Sequence, residues 1–187
     1  MKHLIVYVNS RGRLIADLLV SQLEQAIATS YSSIDDTQLK TAESIIFISA
    51  MGICVRTVAP LVKDKYTDPA VVCVDSCGRY AVSVMSGHIG GANRLTRRVA
   101  SIIGAQPVIT TQSDGDGLWA LDMFPQQYGW KVDADRESLN RAIAHFVDGV
   151  PTALILECND AGCRELRATL PPHVVLCASA ANIPAGT

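Results

Sequence analysis

Several things that the sequence has little of narrow its class before any motif is read. Charge is sparse: Asp, Glu, Lys and Arg make up 18% of the chain, and sixteen basic residues against eighteen acidic ones leave a formal charge of −2. A chain that grips nucleic acid carries a basic excess, so this balance speaks against a nucleic-acid partner. Aromatic residues are scarce at 5%, against 49% hydrophobic residues overall. The expected core is therefore aliphatic, and the composition is not that of a disordered chain. No apolar run approaches the roughly 18 residues of a membrane span. The opening run from His3 to Val8 is halted by Asn9-Ser10-Arg11-Gly12-Arg13, without the small-x-small pattern of a cleaved leader. It reads as the first strand of a cytoplasmic protein.

Familiar site signatures are also missing. Neither Gly-x-Gly-x-x-Gly nor Gly-x4-Gly-Lys-[Ser/Thr] occurs, and Gly-x-Ser-x-Gly is absent, which removes support from a nucleotide-binding domain and from a nucleophile elbow. The six cysteines are Cys54, Cys73, Cys77, Cys158, Cys163 and Cys177. In a cytoplasmic chain they are expected to be reduced. A zinc site split between Cys73-x3-Cys77 and Cys158-x4-Cys163 fits the usual spacings poorly, and buried free cysteine serves readily as a small hydrophobe. No resident metal is expected.

What is present is an alternation of strand-like and helix-like segments. Apolar residues from Leu14 to Ile27 recur at helical spacing. Ile45 to Ile48 reads as a second buried strand, and Ile53 to Val62 as a short helix disturbed by Pro60. Ala70 to Val74 and Arg79 to Met85 flank a hairpin turn. A helix from about Ala92 ends at Gly104, and Pro107 to Thr111 is a further strand. Asp116 to Gly129 is helix-like but broken by Pro125. Beyond it come a helix from Asp135 to Val147, strands at Thr152–Glu157 and Val174–Cys177, a polar helix at Gly162–Ala168, and a tail rich in Ala, Gly and Pro. The expected fold is α/β, with a largely parallel sheet and flanking helices over residues 1–130 and a smaller α/β unit over 131–187.

The chain is organised around Ser86-Gly87-His88-Ile89-Gly90-Gly91-Ala92-Asn93. Two adjacent glycines at a strand-to-helix junction require positive φ or the close approach of another group. That group is either a neighbouring backbone segment or a ligand, and the residues alone leave both open. If the sheet is parallel, the loops Ser49–Arg56, Ser86–Asn93 and Thr110–Asp116 open at one edge, where α/β proteins hold ligands. Ser86, His88, Asn93, Thr110, Thr111 and Asp114 would then line one space. His88 has the proton affinity of a general base near neutral pH. Arg56 and Arg94 are candidate carboxylate partners, whereas Arg97 and Arg98 read as a solvated helix face.

The stretch from Gly52 to Lys65 (GICVRTVAPLVKDK), then Thr67-Asp68-Pro69-Ala70-Val71-Val72, Asp75 with Gly78-Arg79, and Ser86 to Asn93 resembles one family closely: the CbiG family of cobalamin biosynthesis, the cobalt-precorrin-5A hydrolases. Pro107 to Thr111 is similar to the family's next strand. The resemblance implies a hydrolase of the carbon–carbon bond class. Its substrate is a cobalt-containing, ring-contracted tetrapyrrole whose lactone is opened by water, with release of acetaldehyde to give cobalt-precorrin-5B. It implies no cofactor, because the cobalt is carried by the substrate.

On this reading His88 and Asp114 are the catalytic candidates. Gly52, Arg56, Ser86, Gly87, Gly90, Gly91, Asn93, Arg94, Thr110 and Thr111 bind substrate, with the Gly90 and Gly91 amides facing a developing oxyanion. The resemblance makes close approach of a ligand the better explanation of the glycine-rich turn. Family members usually continue into a C-terminal domain. The alternative is therefore a non-catalytic module that binds corrinoid intermediates and depends on that domain or on other corrin-pathway enzymes. A homodimer is compatible with either reading, and no membrane partner is expected.

Overall fold

The computed structural model describes residues 2–64 and 66–185. They form two compact units, Met1–Thr110 and Thr111–Thr187.

In the first unit, strands β1 (His3–Tyr7), β2 (Ala26–Ser30), β3 (Ser44–Ile48), β4 (Ala70–Val74), β5 (Tyr80–Met85) and β6 (Gln106–Val108) build one sheet in the order β2-β1-β3-β4-β5-β6. Helices α1 (Ser10–Gln22), α2 (Asp36–Thr41), α3 (Met51–Val58) and α4 (Ala92–Ile103) connect them. β3 and β4 are buried along their whole length, which is why Ile45–Ile48 and Ala70–Val74 read as unbroken apolar runs rather than alternating ones. Successive side chains still point to opposite faces. Ile5, Ile46, Ile48 and Val72 pack with Leu19 of α1 and Leu95 and Val99 of α4. Leu4, Val6, Ile45 and Phe47 pack with Leu39 of α2 and Cys54 and Val58 of α3. The sheet is thus a central layer, with α1 and α4 on one face and α2 and α3 on the other.

Two departures from the sequence expectation matter. Ala26 and Ile27 do not extend α1. Gln25 takes a positive φ of 54°, and the chain turns back into β2, which pairs parallel to β1 from His3↔Ala26 to Tyr7↔Ser30. A strand of five residues on the sheet's edge carries too little periodicity to stand out from the preceding helix. The second departure concerns direction. β1 to β4 are mutually parallel, but β5 returns antiparallel to β4 through the Asp75–Arg79 turn, and β6 follows β5. The hairpin therefore reverses the polarity of the last two strands.

The second unit has a two-stranded parallel sheet, β7 (Thr152–Ile155) with β8 (Val174–Cys177), and helices α5 (Gln112–Gly115), α6 (Phe124–Tyr128), α7 (Arg136–Val147) and α8 (Ala161–Ala168). Asp135 and Asp160 cap α7 and α8 by accepting the backbone N–H of Ser138 and Cys163, the usual way to satisfy amides in a helix's first turn. The chain's few aromatics concentrate here. Trp119 stacks on Phe146 with ring centroids 6.0 Å apart, and Phe124, Tyr128 and Trp130 continue the cluster. Because these rings pack on α7's Phe146, the stretch before residue 130 belongs with the second unit. The division accordingly falls ahead of Trp119 rather than after it.

Cys158 and Cys163 are joined as a disulfide, against the expectation of six reduced cysteines. Cys54, Cys73, Cys77 and Cys177 are free. The hydrogen bond with Cys73, with burial behind it, pushes the Cys54 thiol well above its ordinary range, so Cys54 is an inert core thiol. Among the described residues no helix is long and apolar enough to cross a membrane.

Candidate functional site

The reversed hairpin decides which candidate residues can meet. β3 ends beside Val74 and Ala81, whereas β5 ends beside Val71. Gly52 and Arg56, which follow β3, therefore sit at one edge of the sheet. Ser86 to Arg94, which follow β5, and Thr110, which follows β6, sit at the opposite edge with the starting residues of β1, β3 and β4. The three loops do not open together. At the first edge the exposed Arg56 guanidinium donates to the Gly52 carbonyl at 3.3 Å, a contact one helical turn long within α3. Thr111 and Asp114 lie in the second unit, where the Thr111 hydroxyl donates to the Asp114 carboxylate at 2.7 Å.

At the second edge the glycine-rich loop folds onto itself. Ser86 takes φ 57° and Gly91 φ 82°. The amides of Gly91, Ala92 and Asn93 donate to the carbonyls of His88, Ser86 and Gly87 at 2.9, 3.1 and 2.9 Å. The Ser86 hydroxyl donates to the Asp68 carbonyl at 3.1 Å. The Asp68 carboxylate, itself buried, accepts the Lys63 amide through both oxygens. Asn93 is 3% exposed, and its carbonyl oxygen accepts the Ser83 hydroxyl at 2.7 Å.

A Cβ on Gly87 would stand 2.8 Å from that Asn93 oxygen, and one on Gly90 would stand 2.9 Å from the Ser86 carbonyl and collide with the Ser86 Cβ. Contacts within the loop account for both glycines, Gly87 against the Asn93 side chain and Gly90 against Ser86, whereas the family resemblance favours the close approach of a ligand. The Gly91 amide is already engaged by His88, so it is not available to an oxyanion in this loop conformation.

The loop nevertheless borders a cavity of about 380 Å³. One wall is a stripe of α4: Gly91, Arg94, Leu95 and Arg98, at i, i+3, i+4 and i+7. The other is built from the residues that open β1 and β3, Lys2-His3 and Glu43-Ser44, with Leu23 beneath. Lys2, Arg94 and Arg98 against Glu43 make the rim cationic. In-register pairing of His3 with Ser44 brings the His3 Nδ1 within 2.6 Å of the Ser44 hydroxyl, and Ser44 is 4% exposed. Burial, reinforced by Lys2 and opposed by Glu43, holds the His3 proton affinity below its ordinary value, so its imidazole is neutral at neutral pH.

The sequence does not single out Lys2, His3 or Ser44, and it reads Arg98 as a solvated helix face. The signal was there in weak form: each fully apolar strand, Leu4–Val6 and Ile45–Ile48, is preceded by a polar pair. Parallel, in-register strands bring such pairs side by side.

The chain as a whole is similar to known proteins. The family described as cobalamin synthesis G N-terminal matches residues 35–114, and that described as cobalamin biosynthesis central region matches residues 119–183. A cobalt-precorrin-5A hydrolase of Priestia megaterium is 43% identical over 118 residues, 63% of this chain and 31% of that protein. One of Salmonella typhimurium is 55% identical over 87 residues, 46% of this chain and 25% of that protein. The chain thus spans about a third or less of the length of these relatives. A solved cobalamin biosynthesis protein G homologue from Sulfolobus solfataricus shares the fold, with a TM-score of 0.54 at 22% identity over 93% of this chain and 52% of that one. The chain belongs to the CbiG family, of which it carries the N-terminal and central regions.

Proposed function

We propose that the chain takes part in hydrolysis of the lactone of cobalt-precorrin-5A, releasing acetaldehyde and leaving cobalt-precorrin-5B. The observation that carries this reading is the cationic cavity beside the Gly90-Gly91 loop, in a chain whose relatives bear that activity in their names. A tetrapyrrole of this kind presents several acetate and propionate carboxylates. Arg94, Arg98 and Lys2 line the cavity as their cationic partners, and each charge-assisted bond contributes on the order of 1.5–3 kcal/mol. Opening the lactone requires a base that takes a proton from water. Two imidazoles are candidates: His3 in the cavity wall, and His88, which does not line the cavity but belongs to the loop beside it. His3 is held neutral and therefore able to accept a proton, and Ser44 fixes its ring. Cleavage that frees the two-carbon fragment breaks a carbon–carbon bond, which sets the reaction class. The cobalt arrives in the substrate and the chain supplies no cofactor of its own. The cytoplasm suits a pathway on soluble tetrapyrroles.

The test is to incubate the purified chain with cobalt-precorrin-5A and measure acetaldehyde. Release at enzymatic turnover supports the reading, and the single variants H88A and H3Q then divide the base's role between the two imidazoles. Tight binding by folded protein with no acetaldehyde would make the chain a binding module for the intermediate instead.

A further inference from the structure

The second unit holds a feature that lactone chemistry does not use. Cys158 is exposed and lies in the loop between β7 and α8; Cys163 is fully buried in the first turn of α8. Their sulfurs are joined across five residues of sequence. We propose that Cys158–Cys163 is a thiol–disulfide exchange site, reduced by low-molecular-weight thiols and re-formed by their disulfides.

Three observations carry this. Access is one-sided: Cys158 is an exposed residue and Cys163 is fully buried, so an incoming thiolate attacks Cys158 and expels Cys163. The leaving group is also favoured, because Cys163 sits where the amides at the start of α8 stabilise a thiolate. Two guanidinium groups brace the loop. Arg164 donates to the Asn159 carbonyl at 2.6 Å, and Arg167 donates to the carbonyls of Leu156 and Cys158 at 3.1 and 3.3 Å. Finally, the loop does not depend on the disulfide for its shape. Asp160 accepts the Cys163 amide at 2.8 Å through one oxygen and the Trp130 indole N–H at 3.1 Å through the other. Together with the arginine contacts, these bonds hold Cys158 and Cys163 near one another after reduction, so the pair is poised to close again.

The steps balance without a further reactant. A thiolate RS⁻ attacks the Cys158 sulfur, the Cys158–Cys163 bond breaks, and Cys163 leaves as thiolate, giving the mixed disulfide Cys158–S–S–R. A second RS⁻ attacks the R sulfur, releasing RSSR and the Cys158 thiolate. The reverse sequence oxidises the dithiol and returns two thiols. Asp160 and the two cysteines also place three metal-ligand atoms within 4.8 Å of one another. Exchange is favoured over a cation because both carboxylate oxygens already accept hydrogen bonds and the sulfurs are bonded to each other.

The test equilibrates the whole chain in glutathione buffers of graded ratio, quenches it in acid, alkylates free thiols and reads each cysteine by peptide mass spectrometry. The expected result is a reversible switch between an unalkylated intramolecular disulfide and a doubly alkylated dithiol, confined to the peptide carrying Cys158 and Cys163, with Cys77 never entering an intramolecular disulfide. The C163S variant should accumulate a glutathione adduct on Cys158, whereas C158S should leave Cys163 unmodified. Three results would overturn the proposal: both thiols alkylating fully even in excess oxidised glutathione, a disulfide that resists reduced glutathione in the folded protein, or stoichiometric zinc by elemental analysis that is lost in C158S.

Discussion

Replacing Gly90 by alanine separates the two explanations for the glycine-rich loop. The added Cβ would meet the Ser86 Cβ and stand 2.9 Å from the Ser86 carbonyl oxygen. Neither atom belongs to the free end of a flexible side chain. Ser86 is fixed by its own positive φ, by the hydroxyl bond to the Asp68 carbonyl and by the Ala92 amide on its carbonyl. Relief therefore requires the backbone to move, and overpacking of this kind costs about 3 kcal/mol, the upper part of the usual range. Gly91 is the internal comparison. Its φ is 82°, but an added Cβ would meet nothing closer than the Arg94 guanidinium at 3.7 Å. Only the left-handed conformation is penalised there, by about 1 kcal/mol. Hydrogen exchange at the buried amides of Ile45 to Ile48 reads the stability of this unit. With 1.4 kcal/mol per factor of ten, exchange should quicken by roughly a hundredfold in G90A and by about fivefold in G91A. Equal protection in G90A and the parent chain would refute the self-packing account and return the glycines to the ligand.

Two further perturbations follow from the same geometry. Folding holds the His3 proton affinity below that of the unfolded chain, so the unfolded state binds the proton more readily. The associated stability is present above about pH 6.5 and is lost as pH falls through the folded value; urea midpoints should decline on acidification from pH 7 and decline less in H3Q, and an identical decline in both would contradict this. In the second unit, Phe146 is 2% exposed, stacks on Trp119 and contacts the His173 ring at a tilt of 58°. F146A should cost about 3–5 kcal/mol and shift Trp fluorescence to longer wavelength, and an unchanged emission maximum would contradict that packing.

The fold class and most elements were legible because buried parallel strands and amphipathic helices leave strong periodic signals. Ile45–Ile48, Ala70–Val74 and the stripe Leu95-Val99 are examples. Strand direction was not legible. The hairpin at Asp75–Arg79 could be read, but its consequence could not: β5 and β6 run against the other four strands, so loops that look alike along the chain open at opposite edges. That single reversal parts Arg56 from Arg94. The edge strand β2 was hidden because Ala26 and Ile27 continue a helical pattern that Gln25 ends by a change of φ. The cavity was hidden for another reason. His3 and Ser44 are separated by forty-one residues, and only in-register pairing of β1 with β3 makes them neighbours. The glycine motif was found at once, but its cause was not, since the atoms that crowd Gly87 and Gly90 belong to the same loop.

The central claim is that the carboxylate-bearing substrate sits in the cavity at the Gly90-Gly91 edge rather than at the opposite edge of the sheet. Absorbance titration of cobalt-precorrin-5A into the chain at fixed ionic strength tests this directly, comparing the parent with the R94A/R98A double variant and with R56A. Losing two charge-assisted contacts of about 1.5 kcal/mol each should raise Kd by roughly a hundredfold in the double variant, while R56A should bind as the parent does. Undiminished binding by R94A/R98A together with weakened binding by R56A would contradict the account and move the site to the other edge.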